Sequence, residues 1–184
     1  MRLTEIRVAG FGGQGVILAA MIVGKAASIH EGGHATMTQN FGPESRGGAC
    51  SAQVVLSDEP VLYPYVTRPD VLVALSQEAY TKFVPELKDG GLLLVERDLV
   101  RISDLGRDIR VLGVPATRIA EELGRRLVLN VVMVGFFAAT TGLVDPDALR
   151  KAVLDSVPPA SRDLNLKAFE KGVEHGKNVS ESLA

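Results

Sequence analysis

Four glycines fall within six residues at Gly10-Phe11-Gly12-Gly13-Gln14-Gly15, between an apolar segment at 4–10 and another at 16–30. A chain takes such a run as a sharp turn, because glycine alone enters left-handed backbone freely and its missing side chain lets a helix start close against a strand. The spacing predicts a strand at 4–10, a tight turn and a helix at 16–30. In that helix Val16, Ile17, Leu18, Met21, Ile22, Val23 and Ile29 are interleaved with Ala19, Ala20, Gly24, Ala26 and Ala27. Few positions remain to face water, so more than one side should be covered.

Gly32-Gly33 ends that helix, and a short strand at 34–39 is expected next. A loop with a defined shape follows at 40–48, then a strand at 49–56, a turn at 57–60 and a buried parallel strand at 71–75. Residues 77–87 read as helix interrupted by Pro85, 91–95 and 110–114 as further strands. After Pro115 the pattern turns helical, at 117–124, 127–141, from Asp145-Pro146 to Pro158-Pro159, and at 163–177, with Asp145 as N-cap and Pro146 at the first helical position. Strands alternating with helices give an α/β, Rossmann-like three-layer sandwich, with a mainly parallel sheet and a helical C-terminal third. With 184 residues, 46% of them hydrophobic and no repeat or linker, a single domain over 1–184 is expected.

Composition removes several function classes. Twenty Lys and Arg against 22 Asp and Glu leave a net charge of −2, which offers nucleic acid no basic footprint. The longest apolar stretch, 127–139, contains Asn130 and falls short of the roughly 20 residues of a membrane helix. Nothing at the start resembles an export signal, so a cytoplasmic location is expected. One cysteine, Cys50, and three histidines, His30, His34 and His175, cannot supply the four ligands of an iron–sulfur cluster or a structural zinc. No metal site is expected.

Gly10, Gly12 and Gly15 match the G-x-G-x-x-G pattern of dinucleotide sites, in the required place between strand and helix. The pattern also needs an acid after the second strand for the ribose. That strand closes on Thr38-Gln39-Asn40, and Glu31 precedes it. Two readings of the turn stay open: glycines that only allow close packing, or a helix N-terminus that receives phosphate or carboxylate, with the Gln14 amide added to it. The second loop, Asn40-Phe41-Gly42-Pro43-Glu44-Ser45-Arg46-Gly47-Gly48, should lie at the same sheet edge. Its Arg46, between flexible glycines, suits a carboxylate or phosphate. Asn130 is a buried polar group that needs a hydrogen-bond partner, and Cys50 reads as an inert small hydrophobe. No nucleophile, acid and base occur together, so the catalytic residues are unknown and the chain is not expected to catalyse alone.

Gly12-Gly13-Gln14-Gly15-Val16, followed by Phe41-Gly42-Pro43-Glu44-Ser45-Arg46-Gly47-Gly48, Ser57-Asp58-Glu59-Pro60 and Pro69-Asp70-Val71-Leu72-Val73-Ala74, resembles the gamma subunit of 2-oxoacid:ferredoxin oxidoreductases. The resemblance continues through Asn130 and Gly135 to Asn165, Ala168, Phe169 and Gly172. It implies one subunit of a complex that converts a 2-oxoacid and coenzyme A into acyl-CoA and CO2, with electrons passed to ferredoxin. It also implies that thiamine diphosphate and iron–sulfur clusters are held with alpha, beta and, where present, delta subunits, and none by this chain alone. The site residues it implies are Gly12, Gly13, Gln14, Gly15, Gly42, Pro43, Glu44, Arg46, Gly47 and Gly48, facing partners, coenzyme A or substrate. The wording of the second loop with Ser76-Gln77-Glu78-Ala79-Tyr80 is closer to 2-oxoglutarate enzymes than to pyruvate ones, with branched-chain acids open.

Two readings of another class stand beside it: a free-standing NAD(P)-dependent enzyme, and a nucleotide-sensing module without chemistry. The apolar faces at 16–27 and 127–139 would permit the isolated chain to homodimerise, unless both are core.

Overall fold

The structure, a computed structural model, describes residues 3–41, 49–103 and 106–181, with side chains to 179. Strand β1 (Thr4–Phe11) runs into the glycine turn and helix α1 (Val16–Lys25), which ends in a π turn at Ala26–His30. Strands β2 (His34–Phe41) and β3 (Ala49–Ser57) follow, then β4 (Val71–Ala74), α2 (Gln77–Phe83), β5 (Leu92–Glu96) and β6 (Arg110–Val114). The remainder is helical: α3 (Ala116–Glu122), α4 (Leu129–Thr141), α5 (Pro146–Ser156) and α6 (Arg162–Glu181). The expected elements are present, with β2 two residues longer than its periodicity implied.

The six strands lie in the order β2-β3-β1-β4-β5-β6. Strands β1, β4, β5 and β6 are mutually parallel, while β3 runs antiparallel between β1 and β2. The sheet is thus mainly parallel as expected. The antiparallel insertion separates β2 from β1, which a strand-by-strand reading of hydrophobicity cannot foresee.

Alternation along the strands divides two cores. Ile6, Val8, Val54, Leu56, Val71, Val73, Leu94 and Leu112 face α1 and the C-terminal helices. Leu72, Ala74, Leu93 and Val95 face Tyr80, Val84 and Leu87 around α2. Beyond α2, the second face turns polar. Buried Arg7 pairs with Glu86, donates to the Val66 carbonyl at 2.9 Å and lies 4.6 Å from the Phe83 ring centre. The Val66 N–H donates to Gln53 Oε1 at 2.9 Å, so both backbone groups of Val66 hold the segment 58–70 over β1 and β3.

Every residue of α4 from Leu129 to Ala138 is buried, because the helix lies between other elements and has no water face. Its partner α6 comes close enough that backbones touch. A Cβ on Gly135 would sit 2.0 Å from the Phe169 carbonyl oxygen, and one on Gly172 would sit 2.0 Å from that of Val132. From Val128 to Ala138 that face is therefore core and not a surface for a second chain, while Leu127 at its start is exposed. The same holds for most of the 16–27 face, where Val16, Ala19, Ala20, Ile22, Val23 and Gly24 are buried. At the start of α5, Asp145 accepts from the N–H groups of Asp147 and Ala148 at 2.8 and 3.2 Å, the expected cap. Among the described residues no helix is long and apolar enough to cross a membrane.

Replacing Gly172 by Ala should force α4 and α6 apart and destabilise the chain by about 3 kcal/mol, the upper range for overpacking a tight core. Urea denaturation of the two chains measures it.

Candidate functional site

The C-terminal edge of β1 gathers the residues that the sequence singled out. Phe11 ends the strand, and the Gln14 N–H donates back to its carbonyl at 3.1 Å, closing the turn. The Gln14 side chain then works in both directions: Oε1 accepts from the Phe11 N–H at 2.7 Å, and Nε2 donates to the Leu75 carbonyl at 2.9 Å. Leu75 directly follows β4, so this one amide ties the ends of the two central parallel strands. Its polar ends are engaged inside the fold, a role distinct from the ligand contact that a glutamine beside a glycine turn suggests. A ligand at the turn would meet the exposed backbone of Gly12 and Gly13 instead.

Gly13 and Gly15 adopt φ of +99° and +73°, in the left-handed region that favours glycine. Gly13 faces open space, whereas a Cβ on Gly15 would lie 2.4 Å from Asn130 Nδ2. That nitrogen donates to the Gly15 carbonyl at 3.3 Å, which is the partner expected for a buried asparagine. The starts of α1 and α4 are thereby held together. A cleft of about 250 Å³ beside them is lined by Gly13, Gly15, Arg125, Leu127, Asn130 and Asn165. Asn165 donates to the Ser161 carbonyl at 2.8 Å and fixes the first turn of α6.

Gly42, Pro43, Glu44, Arg46, Gly47 and Gly48 lie outside the described residues. The strands flanking them are described: Ala49 pairs with Phe11 and Cys50 with Phe41. These flanking strand ends lie at the same sheet edge as the glycine turn. On the α2 side of that edge, Gly10, Asn40, Phe41, Cys50, Lys82 and Phe83 line a hollow of about 120 Å³. Burial pushes the Cys50 thiol up, which keeps it protonated and unreactive near neutral pH.

Two buried charged residues escaped the sequence reading. Arg7 is described above. Glu96 closes β5 with none of its surface exposed, and its Oε1 accepts from the Thr117 N–H at 3.1 Å, capping the first turn of α3. Its Oε2 and the Thr117 hydroxyl are enclosed without partners. A charged residue closing an otherwise apolar strand was the available signal.

The arrangement also bears on the nicotinamide reading. Because β3 stands between β1 and β2, the end of β2 is two strand spacings, roughly 10 Å, from the glycine turn. Thr38, Gln39 and Asn40 there supply no carboxylate for a ribose. Among the described residues no three His, Cys, Asp or Glu side chains cluster as metal ligands.

The sequence pattern of the pyruvate ferredoxin/flavodoxin oxidoreductase family matches residues 5–175. The 2-oxoglutarate synthase subunit KorC of Methanothermobacter thermautotrophicus is 48% identical over 92% of this chain and 93% of its own. The ketoisovalerate oxidoreductase subunit VorA of the same organism is 39% identical over 92% of this chain, which spans 36% of VorA. A solved structure, the gamma subunit of keto/oxoacid ferredoxin oxidoreductase from Geobacter sulfurreducens, shares the fold with a TM-score of 0.83 at 41% identity, over 94% of this chain and 98% of that one.

The two left-handed glycines should respond differently to substitution. Gly13→Ala should cost about 1 kcal/mol, from backbone strain alone. Gly15→Ala should lose about 1–3 kcal/mol more, because Asn130 must also move. Thermal or urea unfolding of the pair distinguishes them, and equal losses would remove the tight Asn130 contact from the account.

Proposed function

The chain belongs to the pyruvate ferredoxin/flavodoxin oxidoreductase family, as a gamma subunit of the 2-oxoacid:ferredoxin oxidoreductase type, and on that premise we propose that it serves a 2-oxoglutarate enzyme. The complex would take 2-oxoglutarate, coenzyme A and oxidised ferredoxin to succinyl-CoA, CO2 and reduced ferredoxin, two electrons passing per turnover. The observation that carries the substrate choice is the near end-to-end match to KorC at 48% identity, against 39% for VorA of the same organism. In this reading the whole chain works as one domain, in the cytoplasm, with alpha and beta partners and ferredoxin as acceptor.

The donor set of this chain does not fit the redox groups of such a complex. One buried thiol cannot hold a cluster that takes four thiolates. The described carboxylates and imidazoles form no metal group, and thiamine diphosphate is bound through a divalent cation. In this reading thiamine diphosphate and the iron–sulfur clusters sit with the partner subunits. The contribution of this chain is to build the site and its coenzyme A side.

The glycine turn and the second loop are the residues assigned to that work. Gly12 and Gly13 expose backbone beside the start of α1, which Gly15 opens, and there N–H groups and the helix dipole favour an anion. Gln14 keeps that turn in register with β4. Arg46, with Gly42, Pro43, Glu44, Gly47 and Gly48 around it, is assigned to the same face by sequence, because both loops leave one sheet edge. The anion is a coenzyme A phosphate, the substrate carboxylate or a partner carboxylate.

Purified gently without oxygen from its host, the tagged chain should bring alpha and beta subunits, thiamine diphosphate and iron, and the complex should reduce ferredoxin with 2-oxoglutarate faster than with pyruvate or 2-oxoisovalerate. Arg46→Ala should weaken coenzyme A use or assembly by about 1–3 kcal/mol, as for a charge-assisted contact to a desolvated anion. A colourless chain that purifies alone would overturn the subunit reading, and preference for another 2-oxoacid would overturn the substrate choice. Unchanged kinetics and assembly in the Arg46 variant would remove that residue from the site.

A further inference from the structure

The two edges of the sheet are finished differently. Strand β6 is five residues long, opens on Arg110, and has its Gly113 carbonyl 3.3 Å from His175 Nε2. Strand β2 is eight residues long and, among the described residues, shows none of the devices that protect an edge. Its register with β3 runs unbroken from His34↔Ser57 to Phe41↔Cys50, so it carries no bulge. It contains no proline, and residues 35–41 contain no ionisable side chain. Apart from β3, it packs mainly against α1 and the π turn. Its outward N–H and C=O groups make no backbone hydrogen bond to another described segment.

We propose that β2 is a pairing edge through which two copies of this chain join, antiparallel, into one continuous twelve-stranded sheet. The composition of the strand selects a second copy as occupant. A two-fold axis through the sheet keeps each face on its own side, so each row of β2 side chains meets the same row of its mate. One row is His34, Thr36, Thr38 and Asn40, of which only His34, at the start of the strand, is ionisable. The other is Ala35, Met37, Gln39 and Phe41. Across residues 35–41 neither row carries an ionisable side chain that would meet its like, and hydroxyl–hydroxyl and apolar cross-strand pairs attract where like charges would repel. Phe41, 65% exposed, adds apolar area at the end of the edge. The proposal is independent of which 2-oxoacid is used.

The test is the native mass of the isolated full chain by sedimentation at about 100 µM, a concentration suited to an interface of modest area. The wild-type chain should run at twice its 19.6 kDa mass. Thr36→Lys/Thr38→Lys and Thr36→Glu/Thr38→Glu should each be monomeric, because like charges then face one another, and an equimolar mixture of the two should recover the dimer. Both positions are half-exposed, and circular dichroism confirms that the variants fold. A monomeric wild type overturns the proposal. Dimers that survive in both charged variants overturn it as well, by assigning self-association to another surface. A monomeric wild type whose Lys variant no longer assembles with alpha and beta subunits would give the edge to a partner's strand instead.

Discussion

Helices α4 and α6 touch backbone to backbone at Gly135 and Gly172, and the position of the candidate site follows from that contact. The two glycines let α6 sink onto α4, which covers the face that the sheet leaves uncovered and makes α4 an interior element. With α4 fixed, its first turn has one place to be, and Asn130 comes under the carbonyl of Gly15. The glycine turn is thus held from two directions. Gln14 ties it to β4 from within the sheet, and Asn130 ties it to the helical third from above. Residues 15 and 130 are far apart in the chain, yet their meeting sets the entry to α1.

Much of the architecture was legible in the residues because punctuation was strong. Gly32-Gly33, Pro60, Pro85, Pro115 and Pro158-Pro159 delimit the segments, and the period of the apolar residues sets their type. The direction of β3 was not legible, since an alternating strand reads the same whether it runs parallel or antiparallel to its neighbour. The apolar face of α4 was ambiguous for a related reason: uniform hydrophobicity marks a helix as buried, but only tertiary contacts tell whether α6 or another chain buries it.

For the site, the glycine turn announced itself and the need of Asn130 for a partner could be stated, while the identity of that partner could not. A glutamine next to a glycine turn reads as a ligand contact or as a brace with equal ease, and only the positions of Phe11 and Leu75 separate the two. Arg7 and Glu96 were passed over because single charges in strands carry no spacing signal. Their partners, Glu86 and Val66 for one and the Thr117 N–H for the other, come from distant segments.

The complete burial of α4 has a consequence for how the chain comes into being. During synthesis α4 leaves the ribosome before the helix that covers it, so for a time a run of valines and phenylalanines has a sheet on one side and water on the other. Such intermediates expose adhesive surface and are prone to aggregate. The nascent chain should therefore depend on holding factors until α6 emerges. Truncation within α6 should be felt as insolubility of the whole protein more than as loss of a local feature.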